Sequence, residues 1–317
     1  MRIQGGLLAV AAATLALLGV ACGGSDNDSW SARAIAVDSN TPVQPVIVNS
    51  QLGVGSNRLL FGLFDRTGAL ISSAEANLRL YTLNGDTGTL VSEHELVPVS
   101  MPQNYDHLHA DESVHTHSGP EATLFVTQAD FTAAGDWGAE LSITLDGERV
   151  EGLRMRFFVL ERTSEPMIGE QVPRSVQRVL RDVAEISEID TTDPPNPAMH
   201  EFTVAEALDT DRPLLVAFAT PAFCQTRFCG PVIEAVVQPL HERYGDRVEF
   251  LHIEPFDIVE ARSGRLVVLP IMQEWGLTTE PWVFVIDDAG WVVAKFEGIT
   301  SLDEVTAALQ LVLGAGQ

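Results

Sequence analysis

From residue 43 to residue 161, apolar and polar positions alternate in short runs. The alternation is plain in Leu78-Arg79-Leu80-Tyr81 and in Leu153-Arg154-Met155-Arg156-Phe157. Side chains alternate faces along a strand, so this period predicts half-buried strands. The runs fall at residues 43–49, 58–65, 77–83, 88–97, 122–128, 137–145 and 152–161. Turn chemistry separates them, as in Asp65-Arg66-Thr67-Gly68, Asn84-Gly85-Asp86 and Asp146-Gly147. About seven short strands in about 120 residues predict an antiparallel β-sandwich.

Residues 162–199 break the pattern with Pro166, Pro173, Pro194, Pro195 and Pro197 and many acids, and read as a linker. Within it Val176, Val179, Leu180, Val183 and Ile186 keep a helical spacing. From residue 200 the pattern becomes β-α-β-α-β-β-α. Thr203-Val204-Ala205-Glu206 is a capping-box signature, and 214–219 is a continuous apolar run suited to a buried strand. A helix is expected over 231–244 with Pro231 at its first position, then a strand at 248–254. A short helix at 270–275, a hairpin of strands 282–286 and 291–296, and a last helix at 302–313 complete the series.

Charge narrows the function classes. The 317 residues carry 19 Lys+Arg against 44 Asp+Glu, a formal charge of −25, which disfavours nucleic acid as a partner. At the N-terminus, Met1-Arg2 precedes an apolar segment to Ala21, and the chain turns polar after Cys22. Leu18-Gly19-Val20-Ala21-Cys22 resembles a bacterial lipoprotein signal, with Gly19 where leucine is usual. The resemblance implies cleavage after residue 21, lipidation of Cys22, a flexible Gly/Ser/Asp tether over 22–42, and a protein lipid-anchored to the membrane on the extracytoplasmic face of a bacterial envelope.

Three cysteines occur, so Cys224 and Cys229 remain as an isolated pair if Cys22 is lipidated. One pair is either a staple or a redox couple. Four residues separate them, and residues five apart on a helix lie about 140° apart around its axis. A disulfide therefore requires the loop before the helix rather than the helix itself. A neighbouring helix N-terminus and Arg227 both favour a thiolate.

Residues 203–315 are similar to thioredoxin-fold proteins. Glu274-Trp275-Gly276-Leu277-Thr278-Thr279-Glu280-Pro281-Trp282-Val283-Phe284 resembles the segment holding that family's cis-proline, which places Pro281 there as the substrate-positioning proline. Phe218-Ala219-Thr220-Pro221-Ala222-Phe223-Cys224 resembles the run into the family's attacking cysteine, whereas Phe228-Cys229-Gly230-Pro231 resembles the same motif in another register. Which cysteine attacks stays open. The family's usual two-residue spacing is widened to four, and Ala217 stands where a buried acid is common. Phe131-Thr132-Ala133-Ala134-Gly135-Asp136-Trp137-Gly138 resembles the entry to a late strand in immunoglobulin-like envelope domains.

The implied architecture is an immunoglobulin-like sandwich at 43–161 and an α/β thioredoxin-like domain at 200–317. The implied function is thiol–disulfide exchange with extracytoplasmic protein thiols and disulfides through Cys224 and Cys229, requiring no cofactor. Two alternatives stand beside it. Sco-type copper chaperones carry a close cysteine pair on the same fold. A binding module with a structural disulfide is the other. His107, His109, His115 and His117 place four imidazoles within eleven residues, suited to copper or zinc, or to a solvated loop. Glu254 and Asp257 read as a solvated pair, His200 and His252 carry no motif, and His241 reads as a surface residue on the helix.

Overall fold

The computed structural model describes residues 27–30, 41–108, 113–224 and 226–314. The expected signal segment, Cys22, most of the tether and His109 lie outside these residues.

Among the described residues, ten strands occupy the N-terminal half: β1 (Asn27–Ser29), β2 (Gln44–Ile47), β3 (Gly55–Phe64), β4 (Glu75–Asn84), β5 (Thr87–Met101), β6 (Tyr105–Leu108), β7 (Val114–His117), β8 (Ala122–Phe131), β9 (Gly135–Leu145) and β10 (Glu148–Val159). Eight of them form one antiparallel sheet in the order β10-β9-β4-β5-β8-β3-β2, with β1 paired to β5 off this path. Beyond the sheet's two ends, the segment joining β2 to β3 meets the residue after β10. Val54 N–H donates to Leu160 O at 2.9 Å and Leu160 N–H to Leu52 O at 2.8 Å. The sheet thus comes near to closing as a barrel.

The immunoglobulin-like sandwich expected from the sequence is therefore corrected to a single coiled sheet, and β5 is the reason. The expected strand stops at Val97, and the next residue, Pro98, cannot donate to a ladder. In the structure β5 is 15 residues long and runs straight through Pro98. Its first part pairs with β4 up to Leu96, and its second, Val97 to Met101, pairs with β8. One strand thereby joins what would have been two facing sheets.

In the C-terminal half β11 (Leu214–Phe218) pairs in parallel with β12 (Glu249–Ile253) and antiparallel with β13 (Trp282–Ile286), which pairs with β14 (Val292–Glu297). The helices are α1 (Val204–Ala207), α2 (Cys229–Val232), α3 (Gln238–Tyr244), α4 (Ile258–Arg262), α5 (Pro270–Glu274) and α6 (Leu302–Gly314). The π turn Ile233–Val237 connects α2 to α3. Pro239 comes just after it without an N–H to give, and the ladder reorganises ahead of that proline.

The C-terminal expectation is corrected as well. The structure is about 40% strand and 20% helix, and no α/β thioredoxin-like domain is evident among the described residues. α1, α4 and α5 are only four or five residues long. Prolines and Gly264 punctuate the stretches where longer helices would be needed. One face of this half's sheet packs on a core of its own, with Leu214, Val216, Phe218, Leu251, Trp275 and Phe284, but the other face is shared. Leu60, Val99, Met101, Leu124 and Val126 of the large sheet pack in one cluster with Leu215, Ala217, Val232, Val236, Val283 and Val285. Leu59, Phe61, Leu63, Phe125 and Phe131, from the opposite face of the same strands, fill the interior of the near-barrel. Runs such as Leu59-Leu60-Phe61 and Leu124-Phe125-Val126 are thus apolar on both faces because both are covered.

Arg58 fastens the two halves further. It pairs with Glu304 at 2.7 Å and donates to the carbonyl oxygens of Glu297 and Ile299. Residues 162–199 lie packed as irregular chain with three 3₁₀ turns, Leu180–Asp182, Ile186–Glu188 and Pro197–His200, instead of a helix. No described helix is long and apolar enough to cross a membrane.

Candidate functional site

β11 delivers the chain to the cysteines. All five of its residues are buried, with Leu215 and Ala217 facing one core cluster and Leu214, Val216 and Phe218 the other. At about 1.5–3 kcal/mol for each fully buried large apolar side chain, this strand is a rigid base for the cysteine loop. That loop carries Cys224, and Cys229 is the first residue of α2. The helix thus starts two residues earlier than Pro231 predicts, while Cys224 stays in the loop.

The two cysteines form a disulfide with Cα atoms 6.0 Å apart, within the range the bond accepts. They are not equivalent. Cys229 is fully buried in the shared core, whereas Cys224 is half-buried and lines an open cavity. Cys229 N–H, one of the helix-start amides without an intrahelical acceptor, donates to Cys224 Sγ at 3.3 Å. The Thr226 hydroxyl lies 3.3 Å from the same sulfur, and Arg227 holds a left-handed backbone conformation at φ 64°.

The histidines line the same cavity as this sulfur. β6 and β7 form a two-stranded ribbon in which Tyr105 faces His117 and His107 faces His115. Residues two apart point the same way along a strand, so all four rings share one face. His107 and His117 stack with centroids 5.0 Å apart, and His115 lies edge-on to His117 at 4.8 Å. The ribbon is fixed against the cysteine helix. The Tyr105 ring covers Gly230, where a Cβ would come within 2.1 Å of it, and Asp106 N–H donates to Glu234 at 3.0 Å. Desolvation raises the Glu234 carboxyl above its ordinary range, and the Asp106 amide offsets part of that. On its other side Leu108 N–H donates to Thr191 O at 2.9 Å.

The result is a cavity of about 220 Å³ lined by Tyr105, His107, His115, His117, Pro221, Ala222, Cys224 and Arg227. Residue groups able to hold a metal ion are present: His107 with His115 and His117, and Cys224 with Cys229 and Glu280. The Glu280–Pro281 peptide bond is cis, immediately before β13.

Behind the loop lies a buried charged network that the sequence does not announce. Asp190 is 1% exposed and accepts from His200 Nε2 at 2.9 Å, with His252 Nδ1 at 3.4 Å. Thr192 N–H and its hydroxyl donate to the same carboxylate. Burial would push the His252 imidazole down, but the Asp190 carboxylate beside it reverses this and holds it up at about 9. Burial would raise Asp190, yet His252 and His200 hold it well below the usual carboxylate range. His252 is thus an imidazolium, whose Nε2–H donates to Ala219 O at 3.0 Å. Glu254 is pushed up to about 7 by burial, and its Oε1 accepts from the Thr191 amide and hydroxyl at 2.9 and 2.6 Å. The Thr191 hydroxyl in turn accepts from Ala222 N–H at 3.1 Å. Both ends of the segment from Ala219 to Ala222, which presents Cys224, are therefore tied to this network. Glu254 follows β12 directly and reaches the cysteine loop through Thr191 and Ala222. Asp190, His200 and His252 also have ligand atoms close enough for a metal, but their hydrogen bonds already satisfy one another.

Asp257, read from the sequence as one of a solvated pair with Glu254, caps α4 through Glu260 N–H. His241 is half-buried beside Phe250 rather than free on the surface. The available signal for the network was His252 inside the buried strand β12 and Glu254 directly after it. No protein-family model and no curated protein matches the chain.

Proposed function

We propose that this protein is an extracytoplasmic thiol–disulfide oxidoreductase, held at the membrane through lipidated Cys22, in which Cys224 attacks and Cys229 resolves. The observation that carries the reading is the asymmetry of the pair: a half-buried sulfur opening onto a cavity and a fully buried partner. An incoming thiolate would reach Cys224 Sγ first and form the mixed disulfide there, releasing Cys229 as the leaving thiolate. In the reverse direction the Cys224 thiolate attacks a substrate disulfide and Cys229 resolves it. The Cys229 amide hydrogen bond to Cys224 Sγ and the Arg227 charge both favour the Cys224 thiolate. Partners are protein thiols and disulfides of the envelope, and the exchange itself needs no cofactor.

The test is catalysis of insulin reduction by dithiothreitol with the purified protein lacking residues before Cys22. Turnover above the uncatalysed rate is expected. Turnover equal to background would leave the pair as a structural staple.

A second reading has its own support. Three imidazoles converge on one face of the β6–β7 ribbon, a donor set suited to copper or zinc.

A further inference from the structure

The histidine ribbon and the dithiol come from parts of the chain more than 100 residues apart, yet they line one cavity. The ligand atoms of His107, His115 and His117 lie within 4.8 Å of one another. An ion bound at about 2.0 Å from each nitrogen needs them roughly 3.4 Å apart, so movements on the order of 1 Å suffice. Among the described residues on that cavity's wall Cys224 alone supplies sulfur, and in the disulfide it has no thiolate to give. Reduction changes that ligand and no other in the set.

We propose that reduction of the Cys224–Cys229 disulfide opens a Cu(I) site made of the Cys224 thiolate with His107, His115 and His117. The proposal rests on the redox-active reading of the pair. In the opening step an external dithiol gives two electrons and two protons to the disulfide. It becomes a disulfide itself, and Cys224 and Cys229 become thiols. On binding, the Cys224 thiol loses its proton to solvent and forms a bond to copper, which keeps its oxidation state. Reoxidation by an acceptor disulfide reverses the sequence and releases the ion.

Two features select the metal. A thiolate with imidazoles is a soft to borderline donor set, which suits Cu(I) and zinc. Arg227 then decides between them. This residue lines the same cavity and carries a positive charge. A monovalent ion with one thiolate is neutral beside that charge, whereas a zinc thiolate keeps a net positive charge and is repelled. Cys229 stays buried in the apolar core and is left outside the set.

The experiment is an anaerobic competition of the full-length protein against a chromophoric Cu(I) chelator, run on oxidised and on dithiol-reduced samples after the reductant is removed. The reduced protein should take one Cu(I) per chain at this site, and the oxidised protein should bind it at least about tenfold more weakly. His115→Ala with His117→Ala, and Cys224→Ser, should each cost about tenfold or more. Cys229→Ser should bind whether or not oxidant has been applied, because it cannot close the disulfide. Equal binding by oxidised and reduced protein overturns the proposal. So does copper that survives loss of both histidines but not of Cys229, which would place the ion on the two sulfurs. A reduced protein that holds zinc and leaves Cu(I) with the chelator overturns the choice of metal. Insulin turnover of the same samples with metal removed reports separately on the exchange reaction.

Discussion

A Cys229→Ser variant accumulates a mixed disulfide on Cys224 when offered an oxidised protein substrate, and a Cys224→Ser variant accumulates none. Both lose insulin turnover to the uncatalysed rate, and only the trapped species tells them apart. The expectation comes from access. Cys224 lines the open cavity, while Cys229 is covered by the core cluster that includes Val232, Val236 and Leu240. A sulfur with no solvent exposure cannot be approached in line by a bulky disulfide, so the first bond must form at Cys224. Without Cys229 the described residues offer no second thiol to resolve it. Non-reducing electrophoresis and intact mass measurement check this. Trapping on Cys229 in the Cys224→Ser protein would reverse the roles.

The second large effect lies in the buried network. Asp190→Asn lowers the unfolding free energy by about 3–5 kcal/mol, because it removes the carboxylate that His252 and His200 are paired with in the interior. The pH profile separates this from loss of shape. His252 is held at about 9 in the folded protein, above the ordinary histidine value of 6.5. The folded state therefore binds more protons than the unfolded state between these values. The stability this supplies is whole below pH 6.5 and disappears as pH rises through 9, a fall of about 3 kcal/mol. Glu254, raised to about 7, makes stability fall in the same sense as pH rises through its own range. Asp190, held low, contributes stability that is lost only as pH drops through its depressed value. In Asp190→Asn the fall through His252 should flatten, since a buried histidine without its carboxylate is neutral on both sides. Denaturant titrations at successive pH values measure it. A variant within about 1 kcal/mol of the native protein, with the same slope, would mean the network carries no net charge interaction.

Parts of this site were legible in the sequence. The strand into the dithiol was, because Leu214 to Phe218 form an unbroken apolar run, and so was the pair itself, because only three cysteines exist. That His115 and His117 share a face was legible from spacing, since residues two apart share a strand face, but that His107 joins them rests on the β6–β7 pairing. That these rings would line one cavity with Cys224 was not legible either, because it depends on contacts between distant segments: Tyr105 on Gly230 and Asp106 on Glu234. The architecture misled for a local reason. Pro98 reads as a strand end, yet it lies opposite Phe125 in the β5–β8 pairing. That one continuation turns the expected sandwich into a near-barrel. The short helix at 270–275 was legible and appears as α5, whereas α4, Ile258–Arg262, was not. Asp190, His200 and His252 sit on three separate segments, so no motif could have joined them.

The most direct test of the exchange reading is the midpoint potential of the Cys224–Cys229 couple in the otherwise native protein, set by equilibration with graded dithiol buffers and read by thiol alkylation. A couple with one sulfur open to a cavity should titrate above about −300 mV, in the range of proteins that trade disulfides. A midpoint well below about −300 mV would contradict it and leave Cys224–Cys229 as a structural bond.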